Sequence, residues 1–221
     1  MKINVIVPVV SSELANELFD SIQSNIVQPS RIIMIDNSDN GYWHRIAQYG
    51  KVLFDGYRPE KRMSCNESWN YGISKLDDDC DLVSILNDDI LLNRYFFEKV
   101  VFTFKRFKYA GVVCPFTVND RRDMQYFTKN GSIFQKMTKR EGWAFTIKKS
   151  LLDQIPPIPA QLKTFCGDDW FWHYTHKKGL FWYKHIGNCI FHHVGAAVRK
   201  LGVRKNMNAE KRIFRGIIRG L

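Results

Sequence analysis

Three groups of residues have the types and spacing for chemistry. Asn87-Asp88-Asp89 closes the apolar run Leu82–Leu86. Neighbouring carboxylates repel unless a cation or a donor-rich ligand relieves them, and hard divalent ions take one or two carboxylates plus substrate phosphates. Asn and Asp also favour plain turns, so the triplet gains weight only from its neighbours. Gly167-Asp168-Asp169-Trp170-Phe171-Trp172 sets two acids before large aromatics. An acid in a partly desolvated cleft gains proton affinity and suits general-base work. The aromatics could stack a sugar ring or a base, or the acids could cap a helix whose aromatic face is core. Finally, His192-His193 follows Ile190-Phe191. Adjacent strand residues point to opposite faces, so at most one imidazole can complete a metal shell or meet a diphosphate.

These groups need elements to hold them. Lys2–Val10 is a β-branched run that predicts a strand, and Leu14, Leu18, Ile22 and Ile26 recur at helical spacing within Glu13–Ile26. Arg31–Ile35 predicts a second strand, stopped by the turn cluster Asp36–Gly41. Further strands are expected at Lys51–Phe54, Asp81–Leu86 and Ala110–Val118, with helices at Ser64–Leu76 and Asn93–Phe107. Alternating β and α elements predict an α/β fold with an open, mostly parallel sheet. Ligands of such sheets bind beyond the carboxyl ends of the strands. Parallel strands would carry Asp36 and Asp88-Asp89 to one rim. Neither Gly-x-Gly-x-x-Gly after the first strand nor a P-loop is present, which disfavours dinucleotide and P-loop ATPase folds.

The 221 residues suit one compact domain with a short appendage, and 45% hydrophobic with 25% charged content excludes wholesale disorder. No run of about 20 apolar residues exists to span a membrane. The N-terminus enters a strand-like run directly, which predicts no secretory leader. Five scattered cysteines without a Cys-x-x-Cys predict buried thiols in a reducing, cytoplasmic setting. The net charge of +11 attracts phosphates on nucleic acid, anionic lipid or a nucleotide. Seven of those charges fall in residues 197–221, where Ile213, Phe214, Ile217, Ile218 and Leu221 form one helical stripe flanked by Arg212, Arg215 and Arg219. Such a helix either meets an anionic membrane or polyanion, or docks on the body with its basic face in water.

The motif order resembles that of family 2-type glycosyltransferases with a GT-A fold, over residues 3–196. Val5-Ile6-Val7-Pro8 is similar to their opening strand, and Ile33-Met34-Ile35-Asp36-Asn37-Ser38 to the segment whose acid contacts the nucleobase. Ser68-Trp69-Asn70-Tyr71-Gly72-Ile73 resembles a helix start beside the nucleotide. Leu86-Asn87-Asp88-Asp89-Ile90 is similar to the metal-binding Asp-x-Asp site with Asn87 at the first acid. Gly142–Ile147 resembles the segment framing donor sugar and acceptor, and Gly167-Asp168-Asp169 the acidic pair whose second member is the base. His192 falls where some members carry a histidine near the metal or diphosphate.

The resemblance implies a GT-A domain over residues 1–196 and a basic amphipathic tail over 197–221. It implies a nucleotide-sugar donor held by Pro8, Asp36, Asn37, Asn70, Asn87, Asp88 and Trp143. A divalent metal, Mn2+ or Mg2+, would sit at Asp89 with His192. Asp169, beside Asp168, would take the acceptor proton in an inverting displacement. The expected acceptor is a glycan or lipid-linked saccharide, with residues 199–221 touching an anionic membrane or polyanion. Two alternatives follow from the charge: transfer to hydroxymethylated bases of DNA, with Trp170, Phe171 and Trp172 stacking a flipped base, and a non-catalytic nucleic-acid-binding protein.

Overall fold

A computed structural model describes residues 1–39, 52–130, 133–193 and 206–220. The expectations for 40–51 and for Arg199, Lys200, Arg204, Lys205 and Leu221 lie outside the described residues. Among the described residues nine strands form one sheet: β1 (Ile3–Val9), β2 (Arg31–Asp36), β3 (Leu53–Tyr57), β4 (Leu82–Leu86), β5 (Ile90–Leu92), β6 (Ala110–Val118), β7 (Phe134–Lys136), β8 (Ala144–Lys148) and β9 (Phe181–His192). The helices are α1 (Ser12–Gln23), α2 (Cys65–Ile73), α3 (Phe96–Arg106), α4 (Arg121–Asn130), α5 (Lys149–Leu152), α6 (Gly167–Lys177) and α7 (Met207–Arg219).

The strand order is β3-β2-β1-β4-β8-β6-β9-β5, with β7 also on β9. β1 to β4 pair in parallel as expected. The mostly parallel expectation fails beyond β4: β8 inserts between β4 and β6, antiparallel to both. β5 and β7 also run against β9, so the sheet is mixed. Every residue of β1 and β4 is buried, because helices cover both faces. Val5, Val7 and Val9 join α1 and α3 in one core, while Ile6 joins Trp69, Phe145, Trp170 and Phe171 in the other. Gly72 lets α2 lie close over β1, since a Cβ there would stand 2.5 Å from Ile6 Cγ2.

α7 docks on the body. Phe214, Ile217 and Ile218 pack against the second core, and Ile213 stays exposed. The apolar stripe is thus largely covered by protein, while Arg212, Arg215 and Arg219 face water. Among the described residues no helix is long and apolar enough to cross a membrane. All five cysteines are free, four of them buried.

Candidate active site

Sheet registers bring the site together. At the end of β4, the Asn87 amide donates to the Trp143 carbonyl at 2.9 Å, continuing the ladder in which Leu86 faces Ala144 on β8. Pairing of β5 with β9 sets Ile90 opposite His192. The His193 amide donates to the Asp89 carbonyl at 2.9 Å. Trp143 then stacks on His192 with centroids 5.2 Å apart and donates from Nε1 to Thr117 Oγ1 on β6. The two histidines diverge as strand alternation requires. His192 Nε2 lies 3.3 Å from Asp89 Oδ1, whereas His193 lies 3.4 Å from Glu17 on α1 and beside Arg121.

Asp89 and His192, together with Pro8, Asn37, Asn70, Asn87, Asp88, Trp143, Asp168 and Asp169, line one cavity of about 1250 Å³ at the carboxyl ends of β1 and β4. Of the residues predicted to bind donor, Asp36 alone is not on its wall. That carboxylate is buried, accepting from Ser38 N–H and Oγ–H and from Arg58. Several wall residues also have structural partners. Asn37 reaches Ser68 Oγ and accepts from the Met63 amide. Asn70 pairs with both the carbonyl and the amide of Ile158. Asp88 Oδ2 accepts from the amides of Val10 at 2.6 Å and Ser11 at 2.7 Å, ahead of α1. Burial pushes Asp88 up to about 6, against the pull of those two amides.

Asp89 Oδ1 is buried and has no hydrogen-bond partner among the described residues. A buried acceptor left unpaired is costly, and a cation is the partner that this oxygen and His192 Nε2 suit. Among the described residues no cluster of three or more His, Cys, Asp or Glu is arranged to hold a metal alone. One carboxylate and one imidazole are still a fitting partial set for Mn2+ or Mg2+, which take their remaining ligands from phosphate and water. The residues present fit the group.

On the same cavity, α6 begins after Cys166 in the left-handed region, φ 64°, and carries Asp168 and Asp169 in its first turn. Asp169 Oδ1 is 2.5 Å from Arg140, whose Nε lies 3.7 Å from Asp168. Burial, then the neighbouring Asp169 charge, pushes Asp168 up to about 6, opposed by Arg140. Gly142 permits this approach, since a Cβ there would be 3.0 Å from the Asp168 carboxyl. Of the two readings of the aromatic run, the core face holds: Trp170 and Phe171 are turned into the core, and Trp172 packs on Trp182 and His176. Helical spacing turns the two acids to the cavity and Trp170 and Phe171 away from it.

Sequence reading missed Arg140, Lys163 and Lys211 on this wall. Each comes from a loop or from α7, and no local pattern marks a lone cation as a site residue.

No family model matches the chain, and no curated protein matches it. Solved structures do. A crystal structure of S. aureus TarS 1-349 superposes with a TM-score of 0.66 at 17% identity, over 87% of this chain and 60% of that one. GalNAc-T7 with UDP, GalNAc and Mn2+ gives 0.70 at 11% identity, over 86% and 43%. The fold is that of the GT-A glycosyltransferases. A further TarS 1-349 structure, in complex with UDP-GlcNAc, gives 0.65 at 17% identity, over 86% of this chain and 58% of that one. The chain thus spans 60% or less of the length of each of these GT-A structures.

Proposed function

We propose that this chain is a family 2-like glycosyltransferase that moves a sugar from a nucleotide-sugar to an acceptor hydroxyl with inversion. The carrying observation is the buried Asp89 Oδ1, without a hydrogen-bond partner among the described residues and 3.3 Å from His192 Nε2, on the same cavity as the Asp168–Asp169 pair. The complexes of the fold relatives with UDP, UDP-GlcNAc, GalNAc and Mn2+ support a nucleotide-sugar donor and a divalent ion. Asp89 and His192 would hold that ion, which when bound supplies positive charge against a diphosphate leaving group.

The remaining work belongs to the chain itself. Asn87, Asp88, Asn37 and Pro8 form the donor wall, and Trp143 offers its ring to the sugar beside His192. Asp169, paired with Arg140, takes the proton from the acceptor oxygen as it attacks the anomeric carbon from the opposite face. The raised proton affinity of Asp168 favours a second reading, in which Asp168 is the acceptor's base and the Asp169–Arg140 pair orients it. The acceptor in this reading is a saccharide hydroxyl, on a glycan or a lipid-linked chain in a reducing compartment. The basic face of α7 supports contact with an anionic membrane surface. Burial of Trp170 and Phe171, two of the three rings that could stack a flipped base, favours a saccharide acceptor over DNA.

The test is turnover of a nucleotide-sugar panel with Mn2+ by wild type, Asp169→Asn and Asp168→Asn. Loss of at least a hundredfold in one variant, with donor binding retained, identifies the base. If Asp168 is that base, wild-type activity rises through a limb near pH 6. Full turnover in both variants would remove the mechanism, and tight salt-sensitive DNA binding without turnover would favour the nucleic-acid-binding alternative.

A further inference from the structure

We infer that Glu210 is a positioning residue: it latches the C-terminal helix onto the turn that aims the Asp168–Asp169 pair, making α7 part of the catalytic unit. The inference rests on the glycosyltransferase reading for its kinetic consequence. Glu210 is the sole acid of residues 197–221, yet it is the buried residue of α7 while Arg212, Arg215 and Arg219 of that helix are exposed. Its Oε2 accepts from the amides of Thr164 at 3.0 Å and Phe165 at 2.9 Å.

Those two amides immediately precede Cys166, the single non-glycine residue with positive φ among the described residues. Strained backbone of this kind persists where its surroundings over-determine it. Here the surroundings form a two-sided clamp. From α2, Asn66 donates from Nδ2 to the carbonyls of Leu162 and Phe165, and its own amide donates to Lys163 O. From α7, Glu210 holds the opposite polarity of the same loop. Between them lies Gly167, where a Cβ would stand 2.2 Å from Asn66 Oδ1, so the entry to α6 has one permitted path. Latching also sets Met207 and Lys211 on the cavity wall. A carboxylate is suited to this place: two converging amides bind it more strongly than a neutral acceptor.

The experiment compares full-length wild type, Glu210→Ala and Glu210→Gln. It reads steady-state kinetics with Mn2+ and the nucleotide-sugar turned over, together with amide hydrogen exchange across Gly167–Trp170. Glu210→Ala is expected to lose on the order of 100-fold in kcat, the scale of a small misplacement of reacting groups, with donor KM within twofold. Exchange in the first turn of α6 should quicken at least tenfold. Glu210→Gln keeps one acceptor oxygen and should recover most of both. Unchanged exchange and kcat in Glu210→Ala would overturn the inference. So would equal losses in kcat and donor affinity that Glu210→Gln does not rescue, which mark general destabilisation. Absence of any wild-type turnover would overturn the glycosyltransferase reading instead, while the exchange comparison still decides the latch.

Discussion

Replacing Gly72 with alanine sets two known effects against each other. Alanine gains about 1 kcal/mol over glycine inside a helix. Against this, the new methyl would lie 2.5 Å from Ile6 Cγ2, 3.1 Å from Cγ1 and 3.2 Å from Cδ1. Carbon atoms rest at about 3.5–4.0 Å, so the nearest gap is short by about 1 Å. Ile6 cannot retreat, being fully buried on β1 between β2 and β4. Overpacking of this kind costs about 1–3 kcal/mol. The net expectation is a loss of up to about 2 kcal/mol, or a fall in Tm of up to roughly 8 °C for a chain of this size. Thermal denaturation of Gly72→Ala, Ile6→Ala and the double variant reads it. Removing the Ile6 branches makes room for the methyl, so the double variant should be more stable than the two single losses add up to, by about 1 kcal/mol or more. A rise in Tm for Gly72→Ala, or strict additivity, would refute the close-approach argument.

Three other outcomes are expected. For Asp88, a rise from 3.8 to about 6 means the native state holds this proton more tightly than the unfolded chain. Stability should therefore fall as pH increases from about 4 to 6, by at most about 3 kcal/mol from this group. Urea unfolding in EDTA should show Asp88→Asn gaining on wild type across that window; a flat difference would contradict it. Glu67 is held down to about 2 by Lys163 and the Ser64 amide. The advantage of wild type over Glu67→Gln should be present above about pH 4.5 and vanish as pH falls through 2, measured by the same unfolding series. Gly167→Ala should slow transfer by tenfold or more with donor binding unchanged, since the Asn66 carbonyl would be displaced from the turn ahead of Asp168.

Local physics made much of this legible. The β-branched runs of β1, β2 and β4 and the helical spacing in α1, α2 and α3 appear in the sequence because each buries a face with its own period. The acids of the site stand at strand and helix ends, where turn-formers are conspicuous. β8 was not legible as a strand: Ala144–Lys148 is defined by its pairing with both β4 and β6. β5 and β7, three residues each, are strands through β9 alone. The aromatic run after Asp169 has the same composition whether it stacks ligand or fills a core, and helix orientation decided it. Asn37 and Asn70 carry the chemistry of ligand contacts, yet their amides meet backbone 26 and 88 residues away. Glu210 gave no local sign, because its partners lie 45 and 46 residues upstream.

The most direct measurement is calorimetric titration of a nucleotide-sugar panel into wild type and Asp89→Ala, each with Mn2+ and with EDTA. Wild type should bind one donor class at least tenfold more tightly with Mn2+, and Asp89→Ala should lose that gain while keeping its fold. Equal affinity in all four conditions would contradict a cation held between Asp89 and His192.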